Sequence, residues 1–241
     1  MCTASWNVKQ SGGSFLFSRD EQRSRPRALY PEEKLVEGVR VVSPIDPKGG
    51  GTWIIANEFG LVVSLLNYYQ ARNVGNVASP RTRGEIPIAL ARCQTLSEVR
   101  ERIRKKELSC YLPFYLCCWC GQNGGIVFVW DGEILKEFDS RRNMITTSSF
   151  ESEIVQGYRE ALFDQRANSK MEDLYTFHTD GSHSNSAYNP VMSRNDAFTQ
   201  SLSVVEFETD QIVFKYCERI EDQLDFKEVV TRKLSLKTTI R

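Results

Sequence analysis

The strongest constraint on this chain is a recurring unit: two short apolar runs folded back on each other by a turn. Residues 3–8 and 14–18 flank Gln10-Ser11-Gly12-Gly13, and residues 53–56 and 61–66 flank Asn57-Glu58-Phe59-Gly60. Residues 198–207 and 211–217 flank Glu208-Thr209-Asp210. A fourth unit is a meander: 111–120, a turn over 121–125, 126–130, a turn at Asp131-Gly132, then 133–138. Apolar runs of this length between Gly, Asn and Asp clusters predict antiparallel hairpins. Residues 144–147 and 229–236 read as further strands.

Helical spacing is confined to the middle of the chain. One helix is entered through Arg81-Thr82-Arg83-Gly84-Glu85 and runs to Ala91. A second covers 97–106, capped by Thr95 or Ser97, with Val99 and Ile103 on one face. A third covers 151–163, with Ser149 as its cap and Ile154, Tyr158 and Leu162 on one face, and 171–177 adds one or two turns. Residues 22–48 read as mostly loop with one edge segment at 39–42, and 70–83 as a surface loop. Residues 178–185 read as a polar surface loop holding both histidines, His178 and His183. Hairpins with helices grouped mid-chain predict an α+β fold, two antiparallel sheets flanked by helices. At 241 residues a single domain over 1–241 is expected, with the charged stretch 219–241 as a peripheral extension.

The charges balance, 31 basic against 31 acidic, which argues against a protein built to coat nucleic acid or an anionic membrane. No apolar run approaches the roughly 20 residues of a transmembrane helix, and no basic-then-apolar leader opens the chain. Seven clustered cysteines without a leader predict reduced thiols and a cytoplasmic setting. Cys117 and Cys120 have C-x-x-C spacing, but strand alternation turns them apart and no second ligand pair stands at zinc spacing, so no metal or cofactor is expected from them.

Chemistry concentrates at the start. Removal of Met1 leaves Cys2 with a thiol and a free α-amine on one residue. Those groups have ordinary pKa values of roughly 8.5 and 7.7–8.0, so the amine can take the thiol's proton near neutrality. The first hairpin brings Arg19, Asp20 and Glu21, at the far end of its second strand, near Cys2. A guanidinium there favours the thiolate, although a charged loop closing a strand is the plainer reading. Asn67 ends the strand 61–66, where its amide can donate to a developing oxyanion. Gly49-Gly50-Gly51 lets the backbone bend or approach another segment closely, and it is not a phosphate loop.

The blocks Met1-Cys2-Thr3, Phe17-Ser18-Arg19-Asp20-Glu21, Gly50-Gly51-Thr52-Trp53 and Asn57-Glu58-x-Gly60-Leu61, running on to Leu66-Asn67, resemble the NRDE family, whose best-known relative is the transport-and-Golgi-organisation protein 2. Ser18 stands where the family name has Asn. The same blocks are more distantly similar to the N-terminal-nucleophile hydrolases of conjugated bile salts and penicillin V. That resemblance implies a four-layer αββα sandwich of two antiparallel sheets. It implies Cys2 as nucleophile, Arg19 stabilising its thiolate, Asn67 as an oxyanion donor, and Asp20 or Glu21 near the aspartate that orients the amine. Those hydrolases carry a further asparagine where this chain reads Ile145-Thr146-Thr147-Ser148-Ser149, so a serine hydroxyl, taken as Ser148, is the candidate substitute. No counterpart of their late arginine stands out.

Two functions follow. One is an amidohydrolase acting on a small-molecule amide at a non-peptide C–N bond. The other is a non-catalytic carrier of haem or an acyl-CoA-like ligand, which the NRDE resemblance implies. Neither needs a nucleic-acid partner or a resident cofactor, and the sequence leaves the oligomeric state open.

Overall fold

The protein is described by a computed structural model that covers residues 1–9, 12–71, 79–121, 124–138, 142–166, 171–220 and 223–237. The turn residues Gln10, Ser11, Gln122 and Asn123 and the loop segment 72–78 lie outside the described residues.

Six strands form one sheet, in the order β10 (Met144–Thr147), β1 (Cys2–Lys9), β2 (Gly12–Gln22), β11 (Ala197–Phe207), β12 (Gln211–Arg219) and β13 (Phe226–Ser235). Seven form the other, in the order β3 (Leu29–Val36), β4 (Val39–Ile45), β5 (Ile54–Asn57), β6 (Val62–Asn67), β7 (Phe114–Trp119), β8 (Gly125–Trp130) and β9 (Leu135–Phe138). Every neighbouring pair is antiparallel.

Alternation along the strands sorts the side chains into layers. Ala4, Trp6, Phe15, Phe17, Val62, Leu66 and Cys117 meet in the core between the sheets. Val63, Leu65, Leu116 and Cys118 face the other way, under α1 (Glu85–Leu90) and α2 (Leu96–Lys105). Leu16, Leu202 and Val204 lie under α3 (Ser152–Arg166) and α4 (Met171–His178). The order is helices, sheet, sheet, helices, so the fold is the α+β, αββα sandwich expected from sequence. Thr95 caps α2, accepting a hydrogen bond from the Glu98 amide at 3.2 Å.

Three local expectations are corrected. Residues 22–48 are not mostly loop: β3 and β4 form a hairpin, with Val36 opposite Val39. Its two-residue turn, Glu37-Gly38, has φ of 48° and 82°, the sign pattern of a type I′ turn. β3 is mostly exposed and reads Pro31-Glu32-Glu33-Lys34 at its centre, so no apolar alternation announces it. The buried face of α3 is Val155, Arg159, Leu162 and Phe163, and Ile154 is 57% exposed. The helix starts at Ser152, after Glu151 in the left-handed region at φ 40°, so Ser149 is too early to cap it.

Candidate active site

Cys2 is fixed from both sides. In β1 it stands opposite Arg19 of β2 and opposite Thr147 of β10. Arg19, Asp20 and Glu21 are not a loop that ends a strand. They lie inside β2, which continues to Gln22 because β11 pairs alongside it, with Phe198 opposite Glu21 and Thr199 opposite Asp20.

Alternation then separates the three. Arg19 shares the inward side of Phe15 and Phe17, and its guanidinium stacks 4.1 Å from the centroid of the Trp53 ring. It donates to Gln200 Oε1 at 2.7 Å and to Glu21 Oε2 at 3.1 Å. The Asp20 carboxylate turns toward the helical layer. It accepts from Thr199 Oγ1 at 2.6 Å and from Arg159 Nη1 at 3.5 Å. Arg159 is wholly buried and also donates to Thr3, Thr146 and the carbonyls of Tyr188 and Asn189. Asp20 therefore braces the back of the strand, while its backbone N–H remains beside the thiol.

Cys2, Arg19, Asp20, Glu21 and Asn67 line one cavity of about 480 Å³. Ser148 does not line it, although its neighbour Ser149 does. The Ser148 hydroxyl is engaged within its own turn, donating to Phe150 O at 2.5 Å and accepting from Phe150 N at 3.1 Å, and it lies 2.9 Å from Met1 Sδ. The Asn67 amide donates to the Tyr69 hydroxyl at 3.0 Å, and the Met1 amine donates to the same hydroxyl at 3.0 Å. Tyr69 thus joins the chain terminus to Asn67. Burial pushes the Cys2 thiol up to about 11; the terminal amine pulls it down, the Asp20 carboxylate pushes it up, and the Asp20 N–H and Arg19 pull it down. Burial works to lower the Met1 amine, but Cys2, Tyr69 and Asp20 together hold it above its ordinary value.

The histidines belong elsewhere. His178 is not in a surface loop. It is the last residue of α4, fully buried, with Nε2 2.8 Å from Ser5 Oγ and Nδ1 2.7 Å from Ser18 Oγ. Burial, reinforced by the charge of Arg159, lowers its pKa to about 3, so the ring is neutral. His183 packs against Tyr158 and Tyr188 in the loop after α4. Neither histidine lines the cavity. Among the described residues no group of three or more His, Cys, Asp and Glu is placed to hold a metal ion, and no helix is long and apolar enough to cross a membrane.

Tyr69, Arg83, Thr147, Arg159 and Gln200 are site residues that sequence reasoning passed over. Thr147 accepts from the Cys2 amide at 3.3 Å and lies in the stretch singled out for its missing asparagine. The others carry no local signal, because their roles come from contacts distant in sequence.

The fold is similar to that of a variant of the conjugated bile acid hydrolase from Clostridium perfringens, at 13% identity over 99% of each chain with a TM-score of 0.57. It is similar to penicillin V acylase from Agrobacterium tumefaciens, at 13% identity over 97% of this chain and 91% of that one, TM-score 0.52. It is also similar to the Caenorhabditis elegans ortholog of N-acylethanolamine-hydrolyzing acid amidase, at 15% identity over 84% of this chain and 92% of that one, TM-score 0.58. At these identities the likeness is one of fold. No curated protein matches the sequence. The family model of Transport and Golgi organisation 2 matches residues 1–153, from β1 into the first turn of α3, and the chain belongs to that family.

Proposed function

We propose that this protein is an N-terminal cysteine amidohydrolase that cleaves a non-peptide C–N bond of a small-molecule amide once Met1 is removed. One observation carries the reading: Cys2 is held between Arg19 and Thr147, on a cavity that also takes in Asn67. Amide hydrolysis by the similarly folded proteins supports it. The free cysteines fit a reducing, cytoplasmic setting.

The chemistry follows from what Met1 occupies. With Met1 in place the thiol is held at about 11 and stays protonated at neutral pH. The amine belongs to Met1 and is bonded to Tyr69. Removal of Met1 turns the Cys2 nitrogen, which lies 3.3 Å from Thr147 Oγ1, into the α-amine. That amine takes the thiol proton as Cys2 Sγ bonds to the substrate carbonyl carbon. The oxyanion is met by the Asn67 amide and a backbone N–H. Collapse breaks the C–N bond, and the leaving nitrogen takes the proton from the ammonium. Water then attacks the thioester, giving its proton to the amine, and the acid leaves as the thiol is restored. Losing one oxyanion donor typically costs about 10²–10³ in rate, which sets the scale for an Asn67 substitution.

The test is direct. The mature protein's intact mass lacks Met1, and an activated anilide adds one acyl mass to it. Cys2→Ser abolishes acyl addition and turnover while leaving the circular dichroism and melting temperature unchanged. Turnover retained in that variant ends the reading.

A second reading, a carrier for an acyl-CoA-like ligand or haem, is favoured by the engaged hydroxyl of Ser148, which leaves residues 145–149 without a free side-chain donor from that serine. Haem would have to be held without either histidine. Thermal shifts with acyl-CoAs or an absorbance titration with haem, in protein that turns over no amide, would select it.

A further inference from the structure

Among the described residues, one arginine side chain of the cavity stands without a carboxylate partner. Arg19 pairs with Glu21 at 3.1 Å, Arg81 with Glu85 at 2.7 Å, Arg194 with Asp196 at 2.7 Å, and Arg25 with Asp46. Arg83 lines the same cavity and, among the described residues, has no carboxylate partner. Its Nη1 donates to the Pro113 carbonyl at 2.9 Å. The segment 72–78, which precedes it in the chain, contains no Asp or Glu.

Arg83 is also firmly placed. It sits one residue before the cap of α1, and the Ile86 amide donates to its carbonyl at 3.0 Å. The next residue, Gly84, accepts from the Thr52 amide at 3.0 Å. Burial works against the charge of Arg83 while Tyr69 and Cys2 act to restore it, and all three line the same cavity. Arg83 is half-buried, so its guanidinium keeps a side open to the cavity, and its planar fork fits a carboxylate or phosphate.

We propose that Arg83 is the anion-recognising residue of this cavity, and that the substrate is an amide that also carries a carboxylate or phosphate. This rests on the hydrolase reading. The anionic group pairs with the free side of the guanidinium while the scissile carbonyl lies between Cys2 and Asn67. A neutral analogue leaves the cation unpaired, and a site that places a charged donor for a substrate group discriminates against a ligand that cannot satisfy it.

The test uses matched substrate pairs on the Met1-less protein. N-decanoylglycine against N-decanoylglycinamide places the anion on the amine side; glutaryl against butyryl p-nitroanilide places it on the acyl side. In one pair the anionic member is preferred in kcat/KM by about tenfold to a hundredfold, the range for a hydrogen-bonded charge pair. Arg83→Gln brings that ratio close to one, and Arg83→Lys falls between, which separates lost recognition from lost folding. Equal kcat/KM in both pairs, or a preference that survives Arg83→Gln, overturns the proposal while leaving the hydrolase reading intact. If no amide is turned over, the hydrolase reading falls, and thermal shifts of the Cys2→Ser protein decide. A shift with N-decanoylglycine alone, lost when Arg83→Gln is added, keeps Arg83 as the anion site of a binding protein. Equal shifts, or none, remove it.

Discussion

Ser18, the residue that departs from the family's name, has a definite job: its hydroxyl and that of Ser5 hold the buried ring of His178. The ring also touches Phe177 and feels the charge of Arg159. Its native pKa of about 3 lies below the unfolded value of roughly 6.5, so between those limits the unfolded chain binds more protons. Stability is unaffected above about pH 6.5 and falls as the pH drops toward 3. From pH 7 to pH 5 this one group should cost about 2 kcal/mol, at 1.36 kcal/mol per unit. Urea unfolding at both values should show that loss in the wild type, and His178→Gln should remove it while the carboxylates common to both keep their own slope. Equal pH dependence in the two proteins would contradict a buried neutral ring. The residues read from sequence and those missed differ in one respect. Cys2, Arg19 and Asn67 are placed by their own hairpins, so local pattern reveals them. His178, Arg159, Tyr69 and Arg83 are placed by partners up to 173 positions away, as Ser5 is from His178, and no local pattern encodes that.

Among the elements, the hairpins with apolar strands were legible and the polar one was not. β1–β2, β5–β6, the β7–β9 meander and β11–β12 all carry apolar runs on both sides of a turn. β3 faces solvent, so its Glu and Lys content hid a strand whose turn has the geometry hairpins prefer. The glycine run shows the opposite case, a chemical hint whose meaning needed the structure. A bend or a close approach was expected at 49–51, and both occur: Gly50 has φ 66°, and Gly51 lies against Gly84. A Cβ on Gly51 would lie 2.6 Å from the Gly84 carbonyl carbon and 2.7 Å from its Cα, both backbone atoms that cannot step aside. That contact, with the Thr52 amide donating to the Gly84 carbonyl, seats the segment bearing Arg83 against the stretch that leads into β5. Gly51→Ala should therefore cost about 1–3 kcal/mol, the range for overpacking a tight contact. It should also weaken whatever discrimination Arg83 provides. Urea midpoints and the substrate ratio together check this, and an unchanged midpoint would show that the loops separate freely.

For the molecule as a whole, two sheets share one inner core, and strands at the sheet margins are judged by what they put into it. β13 is an edge strand whose charged sequence suggested a peripheral extension, yet it pairs with β12 from Gln211–Ser235 to Arg219–Phe226. Its inward positions, Val230 and Leu234, are buried with Trp6, Phe214 and Tyr216, while Lys233 is exposed. Beyond it, the Lys237 amide donates to the Glu58 carbonyl at 2.7 Å, and the Lys237 and Arg40 side chains both reach the buried Glu58 carboxylate, so the segment also ties into the second sheet. The charge that dominates the sequence here is the solvent face, and the two buried positions, Val230 and Leu234, carry the structural information. Leu234→Ala should therefore lower stability by about 2–5 kcal/mol, the usual range for emptying a buried leucine site. Its neighbour Lys233→Ala should stay within about 0.5 kcal/mol. Denaturant unfolding of the two variants side by side decides the matter. A small cost at both positions would mean that the strand decorates the sandwich, and a large cost at Leu234 alone would mean that the inner core extends to the sheet's last strand.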